Sequence, residues 1–127
     1  MSVIKFKKCT ARKDHICDLC GLPIHKGSKY LYRFVNDGGV FEFKNHCHCE
    51  SIMFYLCSVY FLGDMNNSEF DAACFRLLEE LVYPSTGLTE EQINDKLSHY
   101  QSDKRSYLID IINYMNEHDD MTVKYDE

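Results

Sequence analysis

Cys17 and Cys20 are separated by two residues, and so are His46 and Cys49. Thiolates and imidazole at this spacing are the donors a tetrahedral zinc ion takes, commonly as two pairs delivered by two tight local structures. In Cys17-Asp-Leu-Cys20-Gly21 the glycine can adopt the positive φ that turns backbone amides toward the sulfurs. The second pair lies in Asn45-His-Cys-His-Cys49, where Cys47 and His48 are alternative metal ligands if the preceding strand ends elsewhere. One structural Zn2+ on Cys17, Cys20, His46 and Cys49 is therefore the expected cofactor. Cys9, Cys57 and Cys74 lie on apolar stretches with no paired partner and read as core thiols.

The same residues can be tested against catalysis. A nuclease built from a hairpin and a helix around a metal needs a general-base histidine besides its cation ligands. Here His46 is taken by zinc and no His/Asn pair follows in residues 51–62. Glu50, next to Cys49, is the carboxylate a catalytic zinc would use as a base, but deaminases place His-x-Glu before the cysteine pair. An acid in a helix's first turn is also what the helix dipole favours. His15, His25, His99 and His118 are scattered and read as surface residues. No phosphate loop, nucleophile elbow or dinucleotide fingerprint is present, so a metal-dependent nuclease is the weakest reading and no enzyme is expected.

Elements must bring the two pairs together. The 25 residues between Cys20 and His46 are enough for one hairpin. Lys29–Val35 and Val40–Asn45 are rich in aromatic and β-branched residues and are separated by Asn36-Asp37-Gly38-Gly39, which predicts that hairpin. A short strand is expected at Val3–Phe6, followed by a polar approach to Cys17. After Cys49 the period becomes helical, with Ile52, Met53, Leu56, Val59 and Tyr60 on one stripe and a stop at Gly63. A second helix should start near Asn67 or Ser68, with Ser68 as a good cap, and carry Phe70, Ala73, Cys74, Leu77, Leu78 and Leu81 before Pro84-Ser-Thr-Gly87 breaks it. Thr89-Glu-Glu-Gln92 has the form of a capping box for a third helix with Ile93, Leu97 and Tyr100. Ser102 or Asp103 can cap a fourth, carrying Tyr107, Leu108, Ile111, Ile112 and Met115 to about His118, after which the polar tail is expected to fray.

Knuckle, hairpin and helix start, in that order, form the plan of a treble clef. Through Cys17-Asp-Leu-Cys20-Gly21, Ile24-His-Lys-Gly27, Tyr30 and His46-x-x-Cys49, the chain resembles small treble-clef zinc proteins, including phage-type and poly(ADP-ribose)-polymerase-like fingers. The resemblance covers about residues 12–62 and implies a fold and a metal rather than one function. The expected class is α+β. Residues 1–63 would be a basic treble-clef module, with 64–127 an acidic helical region packed on it.

Charge divides along the same line. Residues 1–48 carry nine Lys/Arg against four acids, and because the whole chain is −6, residues 49–127 carry −11. Two kinds of partner follow. The first is a protein, met by the hairpin aromatics Tyr30, Tyr32, Phe34, Phe41 and Phe43 and by acids such as Glu79, Glu80, Glu90, Glu91, Asp119 and Asp120. In its sharper form this is a phage-type inhibitor or adaptor whose acidic surface imitates a phosphate backbone in a host nucleic-acid machine. The second is nucleic acid, met by Lys5, Lys7, Lys8, Arg12, Lys13, Lys26, Lys29 and Arg33 with hairpin rings stacking on bases, although the acidic remainder opposes indiscriminate binding. No small-molecule substrate suggests itself. With no long apolar run, no secretory pattern in residues 1–8 and an odd seven cysteines, the protein reads as cytoplasmic, within a host cell if phage-encoded.

Overall fold

A computed structural model describes residues 2–36, 38–63 and 65–125, with side chains from Lys5 onward. Asp37 of the expected turn, and Asp126 and Glu127 of the expected tail, lie outside the described residues. In chain order the elements are Ser2–Thr10 (β1), His15–Ile16 (β2), Pro23–Ile24 (β3), Lys29–Asn36 (β4), Val40–His46 (β5), Cys47–Tyr60 (α1), Asn67–Leu77 (α2), Glu90–Leu97 (α3) and Lys104–His118 (α4). The molecule is thus mixed α+β. A three-stranded antiparallel sheet has the order β1-β4-β5, and β2 and β3 form a separate two-stranded ribbon around the Cys17–Cys20 turn.

The hairpin forms where expected, with Tyr30 opposite His46 and Phe34 opposite Glu42. Period-2 alternation puts Tyr30, Tyr32 and Phe34 on one sheet face and Leu31, Arg33 and Val35 on the other. The helix α1 packs on the second face, where Arg33 of β4 bonds Glu50 of α1. β1 is longer than the Val3–Phe6 expected and pairs with β4 along its whole length. Lys7 and Lys8 fall in the expected polar approach, but an edge strand needs only its backbone ladder and tolerates exposed lysines.

Helix ends show two differences. α1 stops at Phe61, which takes the left-handed conformation (φ 55) two residues before the Gly63 expected to do so. α2 is capped by Asn66, whose side chain accepts from Glu69 N while Glu69 accepts from Asn66 N, so the capping box lies upstream of Ser68. Beyond Leu77 the chain widens into a π-helical turn, Leu78–Val82, closed by Tyr83 N to Leu78 O at 3.0 Å. The wider turn brings residues five apart into line, so Leu77 with Val82 and Leu78 with Tyr83 all point inward. The capping box at Thr89 and Gln92 forms as expected, and Asp103 occupies the cap position of α4 without a side-chain bond.

As far as Tyr125 the tail beyond α4 packs back on the molecule, where fraying was expected. Val123 exchanges two hydrogen bonds with the Asn116 side chain, N to Oδ1 at 3.0 Å and Nδ2 to O at 2.9 Å, and Tyr125 stacks on His48. Polar composition concealed three spaced apolar residues, Met121, Val123 and Tyr125, all packed against the core. That core is continuous: Leu19 and Cys20 of the knuckle, Ile52 and Leu56 of α1, Phe70 and Cys74 of α2, and Leu108, Ile111 and Met115 of α4 belong to one cluster. Among the described residues no helix is long and apolar enough to cross a membrane.

Candidate metal centre

The first pair is set by a turn. Gly21, at φ 77, donates its N–H to Cys17 O at 2.9 Å, and Cys17 N donates to Leu22 O at 3.0 Å, which closes the knuckle. Asp18 then fixes the knuckle to β5: its N–H donates to Lys44 O at 2.7 Å, and its carboxylate accepts from Lys44 N at 2.8 Å. The second pair comes from the end of β5 and the first turn of α1, where His46 and Cys49 sit one helical turn apart.

These four residues converge. Cys17, Cys20, His46 and Cys49 are all buried, and one donor atom from each lies within 4.8 Å of every other. Bond lengths of about 2.3 Å to sulfur and about 2.0 Å to nitrogen put S and N about 3.5 Å apart around a tetrahedral ion. His46 Nδ1 is 3.4 Å from Cys20 Sγ and 3.6 Å from Cys49 Sγ, which fits. His46 Nε2 lies 2.9 Å from Pro23 O, so the tautomer that donates there leaves the Nδ1 lone pair directed at the centre. The Cys17 sulfur accepts backbone N–H groups from Cys20 at 3.4 Å and His46 at 3.5 Å, contacts that favour a thiolate. The cluster can hold a single metal ion.

Proton affinities show how crowded the centre is. Burial opposes a charged Cys17, yet hydrogen bonds from Cys20, Cys49 and His46 outweigh it and hold this thiol well below its ordinary value. Burial also opposes the His46 cation, but bonds to the Cys17 and Cys20 side chains push its value up to about 10. Cys49 goes the other way, raised by burial and by the neighbouring sulfurs. These shifts favour a Cys17 thiolate beside a His46 imidazolium, and a metal ion bound there must displace the protons of His46 and Cys49.

Cys47 and His48, the alternative ligands, remain outside the cluster. Cys47 is half-buried at the first residue of α1, while His48 is buried and stacks on His46 at 4.5 Å on one side and on Tyr125 at 4.3 Å on the other. Burial, then the charge of His46, lowers the His48 value to about 3. Glu50 is not among the clustered donors. Its Oε2 bonds Arg33, whose Nη1 donates to Asn45 Oδ1 at 3.0 Å and whose guanidinium lies 4.8 Å from the Phe6 ring centre, while Oε1 is buried with no hydrogen-bond partner among the described residues.

The cationic residues separate into two sets. Lys7, Lys8, Arg12 and Lys13 line one groove, joined there by Lys44 and His15, which sequence reasoning did not include. Lys5, Lys26 and Lys29 are exposed, and Lys29 Nζ donates to Thr10 Oγ1 at 2.5 Å. Arg33 is the exception: it is largely buried under α1, because alternation puts it on the face opposite Tyr32. Of the hairpin rings, Phe41 is exposed, Tyr32, Phe34 and Phe43 are half-buried, and Tyr30 is buried with the half-buried His15 ring 5.3 Å from it. His25, His99 and His118 are exposed, Cys74 is buried, and Cys9 and Cys57 are half-buried. Alternation along β4 was the signal that could have separated Arg33 from the groove; nothing in sequence pointed to the Tyr125–His48–His46 stack. Comparison of the chain with protein-family models, curated proteins and solved structures finds no match.

Proposed function

We propose that the protein is a non-catalytic binding module held together by one zinc ion, with its knuckle, hairpin and helix start arranged as a treble clef. The observation that carries the reading is a complete set of four buried donors, three sulfurs and one imidazole, around one point. Such a soft, thiolate-rich set suits zinc far better than magnesium or calcium. A catalytic zinc keeps one position for water with a base beside it, whereas here four protein donors could complete a tetrahedron and the adjacent carboxylate, Glu50, is engaged by Arg33. Zinc would hold Cys17, Cys20, His46 and Cys49 and supply folding free energy, and recognition would fall to surface side chains. Elemental analysis of purified protein should find one zinc per chain. A chain that is metal-free, and whose melting is unchanged by a strong chelator, would overturn the reading.

A protein partner for the helical half has its own support. Glu79, Glu90, Glu91, Asp119 and Asp120 are exposed, as an adaptor or inhibitor presenting an acidic face to a basic channel would require. If so, adding the protein should slow a host nucleic-acid-processing enzyme, and Glu90→Lys with Glu91→Lys should relieve the effect.

A further inference from the structure

The sheet face opposite α1 holds a groove of about 1010 Å3 bounded by β1, β4, β5 and the loop that follows β1. Four cationic side chains face it, Lys7, Arg12, Lys13 and Lys44, against the single carboxylate Glu42, while Lys8, paired with Leu31, borders the groove from the other sheet face. Tyr30 and Tyr32 also line it, two apart on β4 and so on the same face. Tyr32 is central: its neighbour across to β1 is Lys7 and its neighbour across to β5 is Lys44, and Lys7 Nζ stands 5.5 Å from its ring centre. An aromatic ring flanked by amines on both neighbouring strands suits a ligand that alternates flat apolar rings with anions.

We propose, taking the binding-module reading as the basis, that this groove binds single-stranded nucleic acid, with a base on Tyr32 and phosphates on Lys7, Arg12, Lys13 and Lys44. Two physical reasons select this occupant. An acidic peptide offers anions but no regular series of planar rings for the tyrosines, whereas every unpaired base has a face that stacks. A duplex keeps its base faces inside, and its higher charge density is opposed more strongly by the net −11 of residues 49–127. A flexible single strand can stay within the cationic strip.

The test is fluorescence anisotropy with a labelled oligothymidylate of about fifteen nucleotides, its duplex, and polyglutamate, using the zinc-loaded full chain, from about 25 mM salt upward. The single strand should bind most tightly. Its log K should fall with log salt at a slope of about −2 to −3, as three or four phosphate contacts require. Arg12→Glu should weaken binding on the order of tenfold and flatten that slope, while Lys124→Glu, an equal charge change on the exposed tail, should have little effect. Tyr32→Leu, which keeps the half-buried position apolar, should also lose on the order of tenfold without changing the slope. Zinc content and melting of each variant are measured alongside. One zinc per chain with no binding at low salt overturns the groove assignment and leaves the module reading standing; binding by a metal-free chain does the reverse. Equal binding of duplex, preference for polyglutamate, or equal losses for Arg12→Glu and Lys124→Glu would each overturn the assignment, the polyglutamate result in favour of an acidic protein partner.

Discussion

At the scale of single residues the centre makes unequal demands on its neighbours. Cys49 is fully buried, and replacing it with serine removes a soft donor where no water can substitute. Cys49→Ser should abolish stoichiometric zinc and, with the loss of about 10 kcal/mol of metal-linked folding free energy, leave the chain unfolded by circular dichroism. Arg33 and Glu50 are a different case, a pair with side chains 14% and 10% exposed. Arg33→Met leaves the Glu50 carboxylate buried without its partner and should cost about 3–5 kcal/mol in urea melts of the zinc-loaded protein, whereas Arg33→Met with Glu50→Leu should recover most of that loss. A double variant no more stable than the single would show that the pair is not the source of the penalty. Phe61 offers the opposite sign. It is left-handed and 92% exposed, so its ring returns little burial for its backbone strain. Phe61→Gly should stabilise the protein by about 0.5–1 kcal/mol, since the conformation costs a non-glycine residue about 1–2 kcal/mol and glycine's greater unfolded-state entropy offsets only part of that gain.

Elements matter through the contacts they make with the centre. The tail reaches it by a stack of three rings, Tyr125 on His48 on His46, with Arg105 5.3 Å from the Tyr125 ring centre. Removing residues 119–127 uncovers a neighbour of a metal ligand without touching the ligands themselves. Chelator-driven zinc release should then accelerate about two- to tenfold, the range that ring stacking of ~0.5–1.5 kcal/mol implies, and an unchanged release rate would mean the stack does not guard the site. How legible each element was depended on whether its determinant was local. The hairpin and the Thr89–Gln92 capping box were readable because turn and cap chemistry act over a few residues. The length of β1, the π-helical turn and the docked tail were not, because each depends on a surface contributed from elsewhere: β4 for the first, and the shared core for the others.

At the scale of the whole molecule, both halves contribute to one core, and Asn67 Nδ2 ties α2 to the knuckle through Leu19 O at 2.7 Å. Chelation should therefore unfold more than the first 63 residues: helical circular dichroism from the later helices should fall in the same transition that releases zinc. Two separate transitions would show that the helical half stands alone. Alkaline titration tests the same continuity. Burial, then Glu80, pushes the Tyr60 phenol up to about 12, and burial raises Tyr55, Tyr83 and Tyr100 as well. The unfolded chain ionises its tyrosines near pH 10, so this stability is present below about pH 10 and is lost as pH rises toward 12. Tyrosinate absorbance should accordingly rise late and together with unfolding. By itself the sequence determined what could bind a metal, since donor type and two-residue spacing are local chemistry, and it determined that a hairpin joins the two pairs. Only tertiary structure decided which member of Asn45-His-Cys-His-Cys49 joins the cluster, that Arg33 turns inward to Glu50 while Lys44 turns to the groove, and that the tail covers the site. Those choices depend on which face of a strand or helix meets another element, and a face acquires a neighbour only when the chain has folded.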